Sequence, residues 1–410
     1  MAEAAFAWPR RVHRLAEARG CFGDLPERLV PYLDRKDPLA DAVVASLADT
    51  PAARRHELIE AALEGDLREA TAPLRELCLA ARQVPPWLDW ERLRRAHEVF
   101  VRPGMLGGLS LGLRSLVHGY AAPAGNKPLA LSGQLKERAD RRLAETGKFV
   151  TAVTALDGLR PFALGWQLVL KVRLMHAAVR RLVLGSGRWS LVDWSEPINQ
   201  HDMLATILLF SSVFIDGIRV LGVHVTRDEA DDYQHLFRWV GELIGVAPEL
   251  LPATYAEATR LSSFISLTQG PPDEDSRELV SALLEGPLRL ATTASERRRA
   301  ERQVAIARGL CRSLIGDELA DALGLRRDGH RHWALGVRTT LRLLESARRG
   351  VPRLNDWVQV LGSRYWEFTV NQGLGGVPAR YELPERLSSA RTSPQQPSEA
   401  LVAGRPHRMP

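Results

Sequence analysis

Apolar positions along the chain recur every three to four residues, and nowhere does a period-two alternation last long enough to build a sheet. The pattern predicts an all-α fold. Over residues 1–80, Ala-, Leu-, Glu- and Arg-rich stretches are interrupted at Pro26, Pro31, Pro38 and Pro51. That predicts an accessory layer of short helices, one of them with Thr50 as N-cap and Pro51 at its first position. Val84-Pro-Pro-Trp-Leu-Asp-Trp90 predicts a rigid lead-in to a helix over 91–101, anchored by Trp87 and Trp90. From Gly104 to Tyr120 glycines stand at 104, 107, 108 and 112, a spacing that lets a helix approach either a neighbouring helix or a flat cofactor. The apolar run Leu164–Gly185, closed by Gly185-Ser-Gly187, predicts the central helix. Met203–Val220 predicts a helix buried on most faces, and Thr226-Arg-Asp-Glu229 a capping box opening a helix that carries Tyr233, His235 and Trp239. Helices continue to about residue 350, and the Ser-, Pro- and Gln-rich stretch from Ser388 predicts a disordered tail. The expected organisation is accessory helices over 1–80, a main helical domain over 81–385 and a tail over 386–410.

The central helix sets charge where the pattern is otherwise apolar. At about 100° per residue, Arg173, His176 and Arg180 share one face, among Leu168, Val169, Val172, Met175 and Val179. Cations in such surroundings call for an anion. One reading of His176 is a core imidazole donating to a backbone carbonyl, with the arginines reaching toward the helix ends. The other starts from the run Leu131–Thr146, which places Arg142 and Thr146 at i, i+4 with Glu145 beside them. A neutral imidazole facing Arg, Thr and Glu suits a haem iron site: the ring binds iron from below, polar groups handle dioxygen above, and arginines neutralise the propionates. His118 is a weaker candidate for that ligand, because a polar, Gly-rich boundary solvates a histidine. His330-Arg-His332, without a carboxylate partner, reads as a surface turn, and Glu296–Arg302 as a solvated basic face.

Four segments carry a family resemblance: Pro86-Trp87-Leu-Asp-Trp90, Arg142-x-x-Glu-Thr146, Val172-Arg-Leu-Met-His-Ala-Ala-Val-Arg180 and Trp194-x-x-Pro197-Ile-Asn-Gln-x-Asp202-Met. Over roughly residues 80–260 the chain resembles the family of the latex clearing proteins and the fungal oxygenase of mycophenolic acid biosynthesis. The resemblance implies a globin-like helical core with additional N- and C-terminal helices, holding a b-type haem that uses O2 to cleave carbon–carbon double bonds of isoprenoid chains. It implies His176 as the proximal iron ligand, Arg173 and Arg180 or Arg181 toward the propionates, and Arg142 and Thr146 in the distal pocket. Glu145 departs from a relative in which a lysine can close the sixth iron position, so the pocket is expected to stay open, with Glu145 available as a base. The family's own base, a glutamate upstream of the Arg/Thr pair, falls near Asn126, which cannot take a proton. Glu137 and Glu145 remain as candidates. The expected partners are O2 and a small apolar, isoprenoid-like substrate.

Composition narrows the classes further. In 410 residues, 55 Lys+Arg against 49 Asp+Glu give +6, with the arginines spread along helices and no aromatic-interleaved basic stripe, so nucleic acid is not an expected partner. Cys21, Cys78 and Cys311 lie far apart without metal spacing and read as free thiols of a reducing compartment. Arg10-Arg11 is followed by Val-His-Arg-Leu-Ala-Glu-Ala-Arg where an export signal needs apolar residues, and Met203–Ile215 is too short to cross a bilayer. A soluble, cytoplasmic protein without a membrane span is expected. Two rival functions stay in view. A haem-binding sensor or carrier needs His176 but no base. A metal-dependent phosphohydrolase would combine His176 with His201-Asp202, although the arginines flanking His176 would repel a dication.

Overall fold

The N-terminal layer is built of short helices whose starts are set by proline and aspartate: α1 (Leu15–Phe22), α2 (Leu25–Leu29), α3 (Pro38–Ser46), α4 (Ala52–Glu64) and α5 (Ala72–Ala81). Proline occupies the first turn of α2, α3 and α5, where its missing N–H costs nothing. Asp37 caps α3 by accepting the Ala40 N–H at 3.2 Å. Pro51, at ψ 144°, is itself the N-cap residue of α4, one position later than the sequence predicts. The computed structural model describes residues 8–131, 139–327, 345, 348, 350–374, 381, 383, 384 and 387. Glu137, His330-Arg-His332 and, Leu387 apart, the tail over 386–410 lie outside them, as does the side chain of Arg142.

Asp89 opens α6 (Trp90–Val101) by accepting the N–H groups of Glu91 and Arg92. Trp87, just before it, stands edge-on to His235 and Trp239, the anchoring role read from the sequence. Next come α7 (Met105–Ser110), a single π turn (Leu111–Ser115), α8 (Leu116–Tyr120), α9 (Pro123–Leu131), α10 (Ala139–Val153) and α11 (Leu164–Gly185). After α12 (Leu191–Trp194), the apolar stretch forms α13 (Gln200–Phe210) and α14 (Ser212–Val220), bent at Ser211. Together they span 21 residues, long and apolar enough to cross a bilayer, so the expectation from length is corrected. Most of that segment is nevertheless buried in the protein core, the environment the apolar pattern predicted. The Thr226 capping box is formed and opens α15 (Arg227–Leu243). The chain continues through α16 (Tyr255–Thr268), α17 (Glu274–Leu284), α18 (Gly286–Leu290), α19 (Ala294–Ile315) and α20 (Asp317–Ala322) to α21 (Pro352–Leu374).

The fold is all-α, with no strand among the described residues. One large core joins Leu33, Val43 and Leu77 of the N-terminal layer to Phe100, Val150, Trp166, Leu174, Phe214 and Trp239. A smaller one gathers Leu113, Val117, Val280, Cys311 and Leu314. The glycine spacing of α7 serves helix packing. A Cβ at Gly107 would stand 3.1 Å from the Trp366 ring and one at Gly104 3.4 Å from the Cα of Gly362, both on α21, while Gly108 lies under the Tyr365 hydroxyl. Arg297, Arg298, Arg299 and Arg302 of α19 are exposed, as expected of a solvated face.

Candidate functional site

The face of α11 that carries Arg173, His176 and Arg180 is turned toward α3, and the anions that meet the arginines are the protein's own. Arg173 forms a two-pronged pair with Asp37, Nε to Oδ2 at 2.6 Å and Nη2 to Oδ1 at 3.0 Å, and donates to the Leu243 carbonyl. Arg180, 2% exposed, donates to the carbonyls of Pro197 and Ile198 and pairs with Asp41. Arg173 and Arg180, expected at haem propionates, are thus engaged by Asp37 and Asp41. Helical periodicity identified a cationic face, but the two carboxylates come from a segment more than a hundred residues upstream that no local pattern connects to it. Arg181 points to solvent.

His176, between the two arginines, differs from them. Its Nδ1 is sealed from solvent without a hydrogen-bond partner. Burial, and then the charge of Arg180, lower its pKa to about 4, with Asp37 opposing, so the ring is neutral at pH 7. The core-histidine reading required a bond to the backbone. Elsewhere in this chain histidines do make one: His97 Nδ1 lies 2.9 Å from the Thr154 carbonyl, and His235 Nε2 accepts the Asp89 N–H at 3.0 Å. His176 does neither. A neutral, half-buried imidazole whose sealed Nδ1 has no protein partner has a lone pair to offer a metal.

Further sealed and unpartnered atoms lie on adjoining helices. α9 packs on α11, α8 packs on α9 and on α13, and the π turn precedes α8 directly. Along this path stand Ser115 Oγ, His118 Nε2, Asn126 Oδ1 and Ser211 Oγ, each buried without a hydrogen bond, while His201 Nδ1 faces Asp202 Oδ1 at 3.5 Å. The π turn inserts a residue into the helix just before His118, a distortion often found at functional sites. Contrary to the expectation of a solvated ring, His118 is desolvated, and burial followed by Arg114 lowers its pKa to about 4. That desolvation was not legible in the sequence, where neither the π turn before His118 nor its neighbours in space leave a local signature. Asn126 donates through Nδ2 to the Tyr120 carbonyl at 2.6 Å and to Ser276 Oγ at 3.1 Å, the bonds of a structural amide.

On α10, Thr146, Phe149, Val150 and Val153 share one face by their i, i+3, i+4, i+7 spacing, and the last three are buried. The other side, through Ala144 and Gly147, receives α21, so the Thr146 face is the one left for α11. Glu145 is not a free carboxylate: its Oε1 accepts from Arg141 Nε at 3.0 Å. Its backbone carbonyl also receives the Tyr381 hydroxyl. The His201-Asp202 pair is likewise committed. Arg11 grips both Asp202 oxygens at 2.9 and 2.6 Å, and Asn199 Nδ2 donates at 3.0 Å. Burial works to raise the Asp202 carboxyl, but Arg11, leading the opposing interactions, holds it at about 2. No group of three or more His, Cys, Asp or Glu is arranged for a bare metal ion among the described residues, and the phosphohydrolase reading loses its site.

Residues 94–346 match the family described as ER-bound oxygenase mpaB/B'/Rubber oxygenase, catalytic domain. The Rubber oxygenase of Streptomyces sp. (strain K30) is 28% identical over 239 residues. That match covers 55% of this chain and 57% of the relative, little more than half the length of each. A solved structure of Latex Clearing Protein LCP in the closed state aligns with a TM-score of 0.64 over 82% of this chain and 91% of that one. Its sequence identity is 23%, a likeness of fold.

Proposed function

The chain belongs to the MpaB and rubber oxygenase catalytic-domain family, and from that premise we infer that it is a haem b-dependent oxygenase with His176 as the iron ligand, acting on an apolar, isoprenoid-like alkene. The observation that carries the reading is the His176 ring: half-buried with its Nδ1 sealed from solvent, neutral, and without the hydrogen bond that His97 and His235 make. When bound, haem b supplies a redox-active iron for chemistry with O2. The chain's own residues do the rest. Arg173 and Arg180 act as positioning residues, pinning α11 to α3 through Asp37 and Asp41 and so fixing where the imidazole stands. Thr146 offers a hydroxyl from the α10 face that neighbours α11, and Arg142 precedes it by one helical turn. Cleavage adds one O2 across one C=C and yields two carbonyl groups, so no other co-substrate is needed for balance.

A second reading, haem binding without turnover, is favoured by one observation. Asn126 stands near where the resemblance puts the family's base, and its amide is spent on Tyr120 and Ser276. Glu145, the other candidate, is engaged by Arg141.

The test begins with the absorption spectrum and haem content of the purified chain, followed by O2 consumption and carbonyl formation with an isoprenoid oligomer. About one haem per chain is expected, and His176→Ala should lose most of it while keeping its helical circular dichroism. His118→Ala should keep it. Stoichiometric haem in His176→Ala, or none in the unaltered chain, would sink the ligand assignment. Haem with no turnover selects the second reading.

A further inference from the structure

Two residues of the turn that leads into α13 stand in backbone conformations that L-residues avoid. Ser195, buried just after α12, has φ 57° and ψ −160°, at the edge of a region essentially reserved for glycine. Ile198, three residues on, has φ 51° with a β-branched side chain. The start of α13 does not call for this strain, since Asn199 caps that helix by itself, accepting the Asp202 N–H at 2.8 Å. What the strained backbone achieves is the presentation of successive carbonyls from Trp194 to Ile198, each taken by a side chain. Arg11 donates to Trp194 at 2.9 Å, Trp189 Nε1 to Ser195 at 2.8 Å and Asn199 Nδ2 to Glu196 at 2.7 Å. The carbonyls of Pro197 and Ile198 converge on one guanidinium, Arg180, whose Nε and Nη2 donate at 3.1 and 3.0 Å. Successive carbonyls of an extended chain point to opposite sides, so an extended Ile198 would lose one of that pair.

The turn is itself fastened to the N-terminal layer. The Glu196 N–H donates to the Leu33 carbonyl at 3.2 Å and the Gln200 N–H to the Arg35 carbonyl at 2.8 Å. Just beyond those carbonyls, Asp37 and Asp41 hold Arg173 and Arg180. The arginines that bracket His176, three residues before it and four after, are therefore gripped by one block made of the turn and the segment around α3. We propose that Ser195 and Ile198 are positioning residues for the His176 imidazole: their left-handed backbone aims the Pro197 and Ile198 carbonyls at Arg180, one helical turn beyond the ring, and so fixes where α11 carries it. Strain of this kind persists only where the surroundings over-determine it, and here Arg180 supplies the opposing grip. For haem this rests on the reading of His176 as the iron ligand, whereas the coupling of the turn to α11 stands without it.

The test compares Ile198→Pro, to which a positive φ is closed, with Ile198→Gly, which adopts it freely. In the haem-free full chain, amides of α11 around His176 should exchange with deuterium about tenfold faster in Ile198→Pro, while those of α6 exchange as in the parent. Ile198→Gly should restore the parent rate in α11. In the haem-loaded chain, Ile198→Pro should pass its haem to an excess of a scavenging apoglobin faster than the parent does. Unchanged α11 exchange in Ile198→Pro overturns the proposal, and so does equal loss of protection in α6, the mark of a merely structural turn. Faster exchange with an unchanged rate of haem release overturns it as well, because the ring would then not be placed by the turn. Should Ile198→Pro fail to fold, the cycle of Ser195→Gly with Arg180→Lys decides. Ser195→Gly should raise the urea midpoint of the parent and raise it less beside Arg180→Lys, which cannot hold both carbonyls, and equal gains overturn the proposal. A chain that takes up no haem refutes the ligand reading instead, and exchange in α11 then decides the coupling alone.

Discussion

The two flanks of α11 treat polar groups in opposite ways. Toward the N-terminal layer, Asp37 holds Arg173, Asp41 holds Arg180 and Arg11 holds Asp202. From Trp8 to Ala81 no buried side-chain polar atom among the described residues lacks a partner. Toward α8, α9 and α13 atoms of Ser115, His118, Asn126 and Ser211, with His176 Nδ1, are sealed and without a hydrogen bond. Burying a polar atom without a bond costs about 1–3 kcal/mol, so a protein keeps such a group where something other than stability requires it. The first flank has the character of architecture, and the second that of a site.

Substitutions on the two flanks should therefore separate stability from ligand binding. The largest expected effect is on the paired side. Asp37→Ala strips the partner from a buried guanidinium and the cap from α3, and should cost about 3–5 kcal/mol in urea unfolding. A loss below about 1 kcal/mol would show that the ion pairs of this layer do not hold α11.

Next in size is the response to acid. His118, His176 and His235 have folded pKa values lowered from 6.5 to about 4, so between those limits the unfolded chain binds more protons. Stability without haem is fully present above about pH 6.5 and falls as the pH drops toward 4. Removing either His118 or His176 should flatten that slope by about one proton, or about 1.4 kcal/mol per pH unit. Unfolding midpoints measured along a pH series would check it, and an unchanged slope in His176→Ala would mean that the ring is solvated.

The smallest effects are expected from hydroxyls that bond to nothing. Ser115→Ala removes a sealed oxygen without breaking a hydrogen bond, and its stability should stay within about 0.5 kcal/mol of the parent, or rise. If Ser115 belongs to the site flank, haem affinity or its spectrum should move instead. Tyr233→Phe, in the apolar cluster with Phe214 and Phe237, serves as the control: its hydroxyl is also unpaired, and its removal should be neutral or stabilising.

Much of this was legible residue by residue. Repetition at three and four residues marks helices whatever their partners, and caps such as Thr226 with Glu229 are local devices, so α15 was readable at its first turn. His176 stood out for the same local reason: a titratable ring in an apolar run is conspicuous in one dimension. The glycines at 104, 107 and 108 announced a close approach without naming α21 as the helix that makes it, and the bend at Ser211 and the π turn before His118 left no comparable trace. Each depends on what a distant segment brings to the spot.

By itself the sequence determined the helical class, the central helix, the cationic face of α11 and the histidine in its middle, because these follow from side-chain type and the 3.6-residue period alone. The tertiary structure decided which anions answer that face: Asp37 and Asp41 arrive from α3 and claim Arg173 and Arg180. It also decided that His176 is left without a partner where His97 and His235 are not. Whether a buried polar group is satisfied is a property of its neighbours in space, and neighbours more than a hundred residues apart in the chain have no local pattern from which they could be read.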